Sequence, residues 1–78
     1  MIVSPKKDLT MQVTAILTPS ELGGYVAFNP ETGTTTQGET VELALENLRE
    51  AVELYLEEVP MTFPGPALVT TVTLREHA

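Results

Sequence analysis

Glutamates are the side chains most able to do chemistry in this chain of 78 residues, which has no cysteine and a single histidine. Five of them recur every three or four residues, namely Glu42, Glu46, Glu50, Glu53 and Glu57. Carboxylate oxygens are the ligands that calcium and magnesium prefer, so this series could gather a hard cation. All five nevertheless project from one convex face of a single predicted helix, whereas such sites need oxygens that converge from several directions. We therefore predict no metal site.

A nucleophilic active site would need the histidine held beside a serine or threonine. His77 is the next-to-last residue, and the two serines, Ser4 and Ser20, both adjoin prolines. A two-metal nuclease would need carboxylates on the strands as well as on the helix, and the first predicted strand has none. We predict no catalytic residue, no cofactor and no enzymatic activity.

Four of the five glycines lie between Gly23 and Thr40, just before the predicted helix, where nucleotide-binding proteins carry a phosphate loop. Phosphate loops also need a cation, and this chain has none between Lys7 and Arg49. Neither Gly-x-Gly-x-x-Gly nor Gly-Lys-Ser/Thr occurs. The glycines instead predict turns with positive φ: Gly23 and Gly24 in the first, Gly33 in the second, and Gly38 before the helix cap.

The hydrophobic pattern predicts the order β-β-β-α-β in a single domain, residues 1–78. The predicted strands are about 9–18, 25–29, 33–37 and 67–75, and the predicted helix is about 41–59. Thr40 suits the N-cap of this helix, and Pro60 ends it. Because the apolar face of the helix needs a sheet to cover it, we predict a two-layer α+β sandwich. The pattern leaves open whether the last strand joins beside the first or the third.

Charge is concentrated on the helix. The net charge is −7, and residues 39–58 hold seven glutamates and one arginine. Such a balance argues against binding to naked nucleic acid, which needs a cationic face. The N-terminal sequence contains no unbroken apolar stretch, so we expect neither a signal peptide nor a membrane span, and a cytoplasmic location. A domain this small buries little surface, and association into a homo-oligomer would hide more.

Two leucines lie outside the apolar stripe of the helix, which comprises Val41, Ala44, Leu45, Leu48, Ala51, Val52, Tyr55, Leu56 and Val59. Leu43 and Leu54 fall on the opposite side, beside the acidic residues. Three readings stay open for this side of the helix: a solvated face that aids solubility, a docking surface for a cationic partner, and a dimer contact.

The run GGYVAFNPETGTTTQGETVELALENLREAVELYLEE resembles the HicB-like antitoxins, with their Gly-Gly-Tyr-Val-Ala hairpin, Thr-Gln-Gly-Asp/Glu-Thr cap and a helix that ends near Tyr-Leu. The matching positions are Gly23, Gly24, Tyr25, Val26, Ala27, Gln37, Gly38, Glu39, Thr40, Ala44, Leu45, Asn47, Ala51, Tyr55 and Leu56. The resemblance covers most of residues 11–74. The Pro-Asp-Leu-Pro-Gly-Cys turn of many members is replaced here by Asn29-Pro30-Glu31-Thr32-Gly33.

The resemblance implies a degenerate ribonuclease-H-like domain without catalytic carboxylates, which neutralises a small basic RNA-cleaving toxin of the HicA type. Many members add a helix-turn-helix or ribbon-helix-helix domain that binds DNA; neither is visible in this sequence, so we expect no direct DNA binding. We expect the toxin to contact the acidic side of the helix, at Leu43, Glu46, Asn47, Glu50, Glu53, Leu54 and Glu57. The alternative is an orphan homo-oligomeric domain that has no toxin.

Overall fold

The structure of the chain is a computed structural model that describes residues 11–76. Residues 9 and 10 of the first predicted strand, and His77, lie outside the described residues. The described chain forms three strands and one helix: β1 (Ile16–Pro19), β2 (Tyr25–Asn29), β3 (Thr34–Gly38) and α1 (Val41–Glu58). The strands pair antiparallel in the order β1-β2-β3, and α1 packs across one face of the sheet. The predicted α+β class is confirmed.

Both hairpin turns use left-handed glycines, as the sequence predicted. In the β1–β2 turn, Gly23 and Gly24 have φ values of 104° and 78°, and the Gly23 N–H donates to the Ser20 carbonyl at 3.0 Å. In the β2–β3 turn, Gly33 has a φ of 79° and its N–H donates to the Asn29 carbonyl at 2.8 Å. Glycine adopts this region at no steric cost, so these turns fix where the strands pair.

The core lies between α1 and the central strand. Ala27 of β2 and Ala44, Leu48 and Val52 of α1 are its buried apolar residues. The rest of the predicted helix stripe is less well covered, because Leu45 and Tyr55 are each 37 % exposed and Val59 is 44 % exposed. The helix lies mainly over β2 and β3, so the part of its stripe that faces β1 has too little sheet beneath it.

The prediction that Gly38 has a positive φ is wrong. Its φ is not positive, unlike that of the other three glycines in this run. A Cβ at Gly38 would instead lie 2.5 Å from the backbone nitrogen of Ala44 and 2.8 Å from the carbonyl carbon of Leu43. Glycine is required here because the end of β3 runs directly against the first turn of α1.

The first predicted strand, 9–18, is shorter in the structure. Residues 11–15 have no strand assignment, although Met11, Val13 and Ala15 share the face that the alternation predicted and lie opposite α1. The ladder with β2 stops at Ile16, which pairs with Phe28. Beyond it, the Thr14 carbonyl accepts a hydrogen bond from the side chain of Asn29 at 2.8 Å, so a side-chain amide takes over from the backbone.

The fourth predicted strand, 67–75, does not form within the described chain. Residues 66–76 are exposed throughout and contain no strand, turn or bend. Residues 61–66 lie near Met11 and Gln12, and Phe63 is half-buried there. The β-branched pattern of 67–75 is that of a strand, but a strand needs a neighbour to bond, and none of the described residues 11–76 pairs with it.

Candidate partner-binding surface

Helix α1 positions every residue of the candidate surface, and local capping fixes where it starts. The Thr40 side chain accepts a hydrogen bond from the Leu43 N–H at 3.1 Å, and the Thr40 carbonyl accepts one from the Ala44 N–H at 2.9 Å. At the other end, the Val59 N–H donates to the Tyr55 carbonyl at 2.8 Å. The helix therefore runs for 18 residues, and the cap fixes its first turn.

The structure exposes all seven predicted partner-binding residues along α1. We call this set the helix ridge: Leu43, Glu46, Asn47, Glu50, Glu53, Leu54 and Glu57. All are exposed. Leu43 is 49 % and Leu54 is 58 % exposed. These leucines lie about 16 Å apart along the axis and border the acidic residues, with Glu57 lying beyond Leu54.

Arg49 neutralises part of the helix ridge. Its guanidinium pairs with the Glu46 carboxylate and lies 3.6 Å from that of Glu53. Both pairs are solvent-exposed, so each contributes only about 0.3–0.5 kcal/mol. Within residues 11–76, Glu50 and Glu57 take part in no ion pair. These two carboxylates are therefore the most available of the ridge to an incoming cation.

Asn47 has a role inside the fold. Its side-chain amide donates to the Gln37 carbonyl of the edge strand β3 at 2.8 Å. The sequence placed Asn47 among the partner-binding residues and gave no sign of this bond, which depends on how the helix crosses the strand. Any partner contact at Asn47 is limited to its remaining amide hydrogen and its carbonyl oxygen.

Sequence reasoning missed a hydrogen-bonded cluster around Glu31. The Glu31 carboxylate accepts hydrogen bonds from the Thr14 N–H at 2.8 Å, the Thr14 hydroxyl at 2.7 Å, the Asn29 amide at 2.7 Å and the Ala67 N–H at 2.8 Å. These bonds lower the pKa of Glu31 to about 2, with the Thr14 N–H contributing most and partial burial opposing the shift. The cluster connects the β2–β3 turn to two segments that are distant in the sequence. All four donors to the Glu31 carboxylate belong to this chain, so the cluster stabilises the fold.

A second missed feature is an apolar groove beside β1, which we call the β1 groove. Its volume is about 520 Å³. The residues that line it are Met11, Val13 and Ala15 on one side, Leu45, Leu48, Val52 and Leu56 of α1 on the other, and Arg49 and Glu53 at the rim. The groove holds the part of the helix stripe that the three-stranded sheet leaves uncovered.

Residues 11–76 contain no cluster of three histidine, cysteine or acidic side chains able to hold a metal ion. A shallow pocket does lie at the glycine turn, lined by Ser20, Gly24 and Glu39 among others, but its one charged group is a carboxylate, which would repel a phosphate. Over the same residues, no helix has the length and hydrophobicity needed to cross a bilayer.

Comparison with known proteins identifies a relative. The UPF0150 protein ssr1765 of Synechocystis sp. is 42 % identical to this chain over 60 residues, which cover 76 % of this chain and 73 % of the relative. No family model matches the chain, and no solved structure does. At that identity and coverage, the chain belongs to the UPF0150 family.

Proposed function

We propose that this chain is a non-catalytic, HicB-like antitoxin-type protein that binds and neutralises a small basic RNA-cleaving toxin in the cytoplasm. The observation that carries the proposal is the helix ridge, where exposed carboxylates are framed by two exposed leucines. Membership of the UPF0150 family and the resemblance of residues 11–74 to HicB-like antitoxins support it.

The chemistry of the helix ridge suits such a partner. A ribonuclease that grips RNA presents cationic side chains, and a row of carboxylates would compete for the same groups. The mutual repulsion of glutamates spaced at i+3 and i+4 costs about 0.2–0.5 kcal/mol per pair in the free protein. A basic partner removes that repulsion, while Leu43 and Leu54 provide apolar anchors beside the carboxylates.

Charge reversal on the helix ridge tests the proposal. In Glu50→Lys/Glu57→Lys, two carboxylates without ion pairs become cations, so we expect the complex with a HicA-type toxin encoded beside this chain to weaken at least ~10-fold. The effect should shrink as salt rises, because exposed charges are screened. Calorimetric titration at several salt concentrations measures the affinity, and an RNA-cleavage assay measures the neutralisation.

The matched control is Glu21→Lys/Glu76→Lys, which produces the same change in net charge at exposed positions away from the ridge. If the toxin were attracted only by the net charge of the whole protein, the two double variants would bind it with equally reduced affinity. Equal losses, or no loss in Glu50→Lys/Glu57→Lys, would reject the ridge as the binding surface.

The second candidate function is an orphan homo-oligomeric domain that has no toxin partner. One observation favours it: the apolar residues of 67–75 are exposed in the single chain. Self-association could also use Leu43 and Leu54, and Leu43→Glu/Leu54→Glu tests that route by sedimentation. Loss of an oligomer in this variant would assign the ridge leucines to self-association.

A further inference from the structure

The C-terminal segment, residues 67–75, has the properties of a strand that lacks a neighbour. Leu68 is 93 %, Val72 is 78 % and Leu74 is 81 % exposed. In a strand, alternate side chains point to opposite faces, so these three lie on one face and form an apolar stripe. An exposed apolar stripe on a strand promotes association with other chains, so it is typical of an interaction surface.

The sheet of the same chain has an edge strand to which a further strand could be added. Among residues 11–76, β1 pairs with β2 alone, so within the described chain the backbone on its other side forms a free edge. The β1 groove lies next to the residues that lead into β1, because Val13 and Ala15 line it together with Leu48 and Val52 of α1. A strand added at this edge would turn one face toward α1 and place its side chains in the groove.

The start of the C-terminal segment is already fixed beside β1. The Ala67 N–H donates to the Thr14 hydroxyl oxygen at 2.6 Å and to the Glu31 carboxylate at 2.8 Å. From Leu68 onward, the segment leaves its own sheet and continues without a turn or bend. Among the described residues, each chain therefore has one segment with a strand-like sequence that pairs with no strand, and one strand edge that is unpaired.

We propose that the C-terminal segment of one copy forms a fourth strand on the free edge of β1 in a second copy, and that the exchange is reciprocal. In a two-fold symmetric pair, each C-terminal segment bonds the free edge of β1 in the other chain. Both edges are then paired, so the assembly closes at a dimer. The segment carries no acidic residue and ends in Arg75, so it approaches the acidic helix without repulsion. The proposal does not depend on toxin binding, since six of the seven ridge residues lie outside the β1 groove and only Glu53 lies at its rim.

Self-association is tested first with threonine substitutions in the C-terminal segment. Leu68→Thr/Val72→Thr/Leu74→Thr keeps a strand-forming sequence but removes the apolar stripe, so we expect the dimer dissociation constant to rise at least ~100-fold. Sedimentation equilibrium measures it. Leu22→Thr, at a leucine that is 98 % exposed in the β1–β2 turn, is the matched control and should leave the dimer intact. A monomeric wild-type protein, or a dimer lost only in Leu43→Glu/Leu54→Glu, would overturn the proposal.

Cross-linking tests the exchange itself and does not require the threonine variant to fold. Since the chain has no cysteine, Ala15→Cys and Val72→Cys each introduce a single thiol, one in the β1 groove and one in the C-terminal segment. The two variants carry different tags and are refolded together with a short bis-maleimide. We expect a covalent product that contains both tags. If instead the double variant Ala15→Cys/Val72→Cys cross-links within one chain at every dilution, the segment folds onto its own β1 and the proposal fails.

Discussion

Glu31 is the residue that joins segments far apart in the sequence. Its carboxylate bonds Thr14, ahead of β1, and Ala67, beyond the helix, while remaining in the β2–β3 turn. The sequence predicted the turn correctly from Pro30 and Gly33, because turn chemistry is local. It could not predict the cluster, because no local pattern indicates that residues 36 and 17 positions away meet at one carboxylate.

The depressed pKa of Glu31 makes stability depend on pH. The folded pKa is about 2 against an ordinary value of 4.5, so at pH values between these the unfolded chain binds more protons than the folded one. The contribution of Glu31 is therefore complete above about pH 4.5 and is lost as the pH falls toward 2. We expect Glu31→Gln to lower stability at pH 7 and to flatten the decline over that window, as measured by urea unfolding at each pH.

Glu21→Gln provides the comparison for this pH series. Glu21 is exposed in the β1–β2 turn, and its removal should leave the slope between pH 4.5 and pH 2 as it is in the wild type. If Glu31→Gln retained the full wild-type slope, the other glutamates would account for the acid sensitivity and the role assigned to Glu31 would be wrong.

At the scale of elements, the junction of β3 with α1 is the tightest contact in the fold. Gly24 faces the carbonyl of Gly38 so closely that a Cβ would lie 2.5 Å from it, and Gly38 in turn faces the backbone of Ala44. The Thr36 hydroxyl adds a hydrogen bond to the Ala44 carbonyl at 3.2 Å. These contacts hold the helix at a fixed distance from the sheet and so determine which of its residues face outward.

Gly38→Ala should disrupt this junction. The added methyl group meets backbone atoms on both sides and cannot be accommodated by a rotamer change, so we expect a loss of about 1–3 kcal/mol in the free energy of unfolding. Gly33→Asn is the control, since Gly33 has open space around its Cβ position and asparagine tolerates a left-handed φ. Chemical denaturation of both variants measures the difference; equal losses would contradict a steric role for Gly38.

Elements defined by local signals were predicted well from the sequence. The strands 25–29 and 33–37 and the helix 41–59 agree with β2, β3 and α1 to within one residue at each end, since caps and turn glycines mark their boundaries. The exposed side of α1 was predicted by helical periodicity for the same reason. The strand 67–75 failed as a prediction because local pattern indicates strand propensity, whereas a strand forms only where another backbone is available to bond.

At the scale of the whole molecule, acidic side chains are concentrated on α1, and exposed apolar side chains are concentrated in the C-terminal segment. The helix ridge carries the unpaired carboxylates, while the β1 groove and the C-terminal segment carry uncovered apolar side chains. Net charge and its concentration on residues 39–58 could be read from the sequence. The groove could not, because it exists only where the helix extends beyond the edge of a narrow sheet.

Reciprocal strand exchange would make thermal stability depend on protein concentration. When two folded chains unfold together, each tenfold increase in concentration adds about 1.4 kcal/mol per dimer, which corresponds to a rise of about 4 °C in the midpoint of unfolding for chains of this size. Scanning calorimetry over a hundredfold concentration range measures it. Leu68→Thr/Val72→Thr/Leu74→Thr should unfold at one temperature throughout, and a wild-type midpoint that stayed constant would contradict exchange.

The buried Asn29 has a consequence for how the β2–β3 turn can vary among relatives. Its amide is fully enclosed and bonds the Thr14 carbonyl, while its oxygen accepts from the Thr32 N–H and hydroxyl. An insertion or deletion between Asn29 and Gly33 would pull these partners out of reach and leave a polar group stranded in the interior. We therefore expect relatives that keep this asparagine to keep the length of the turn.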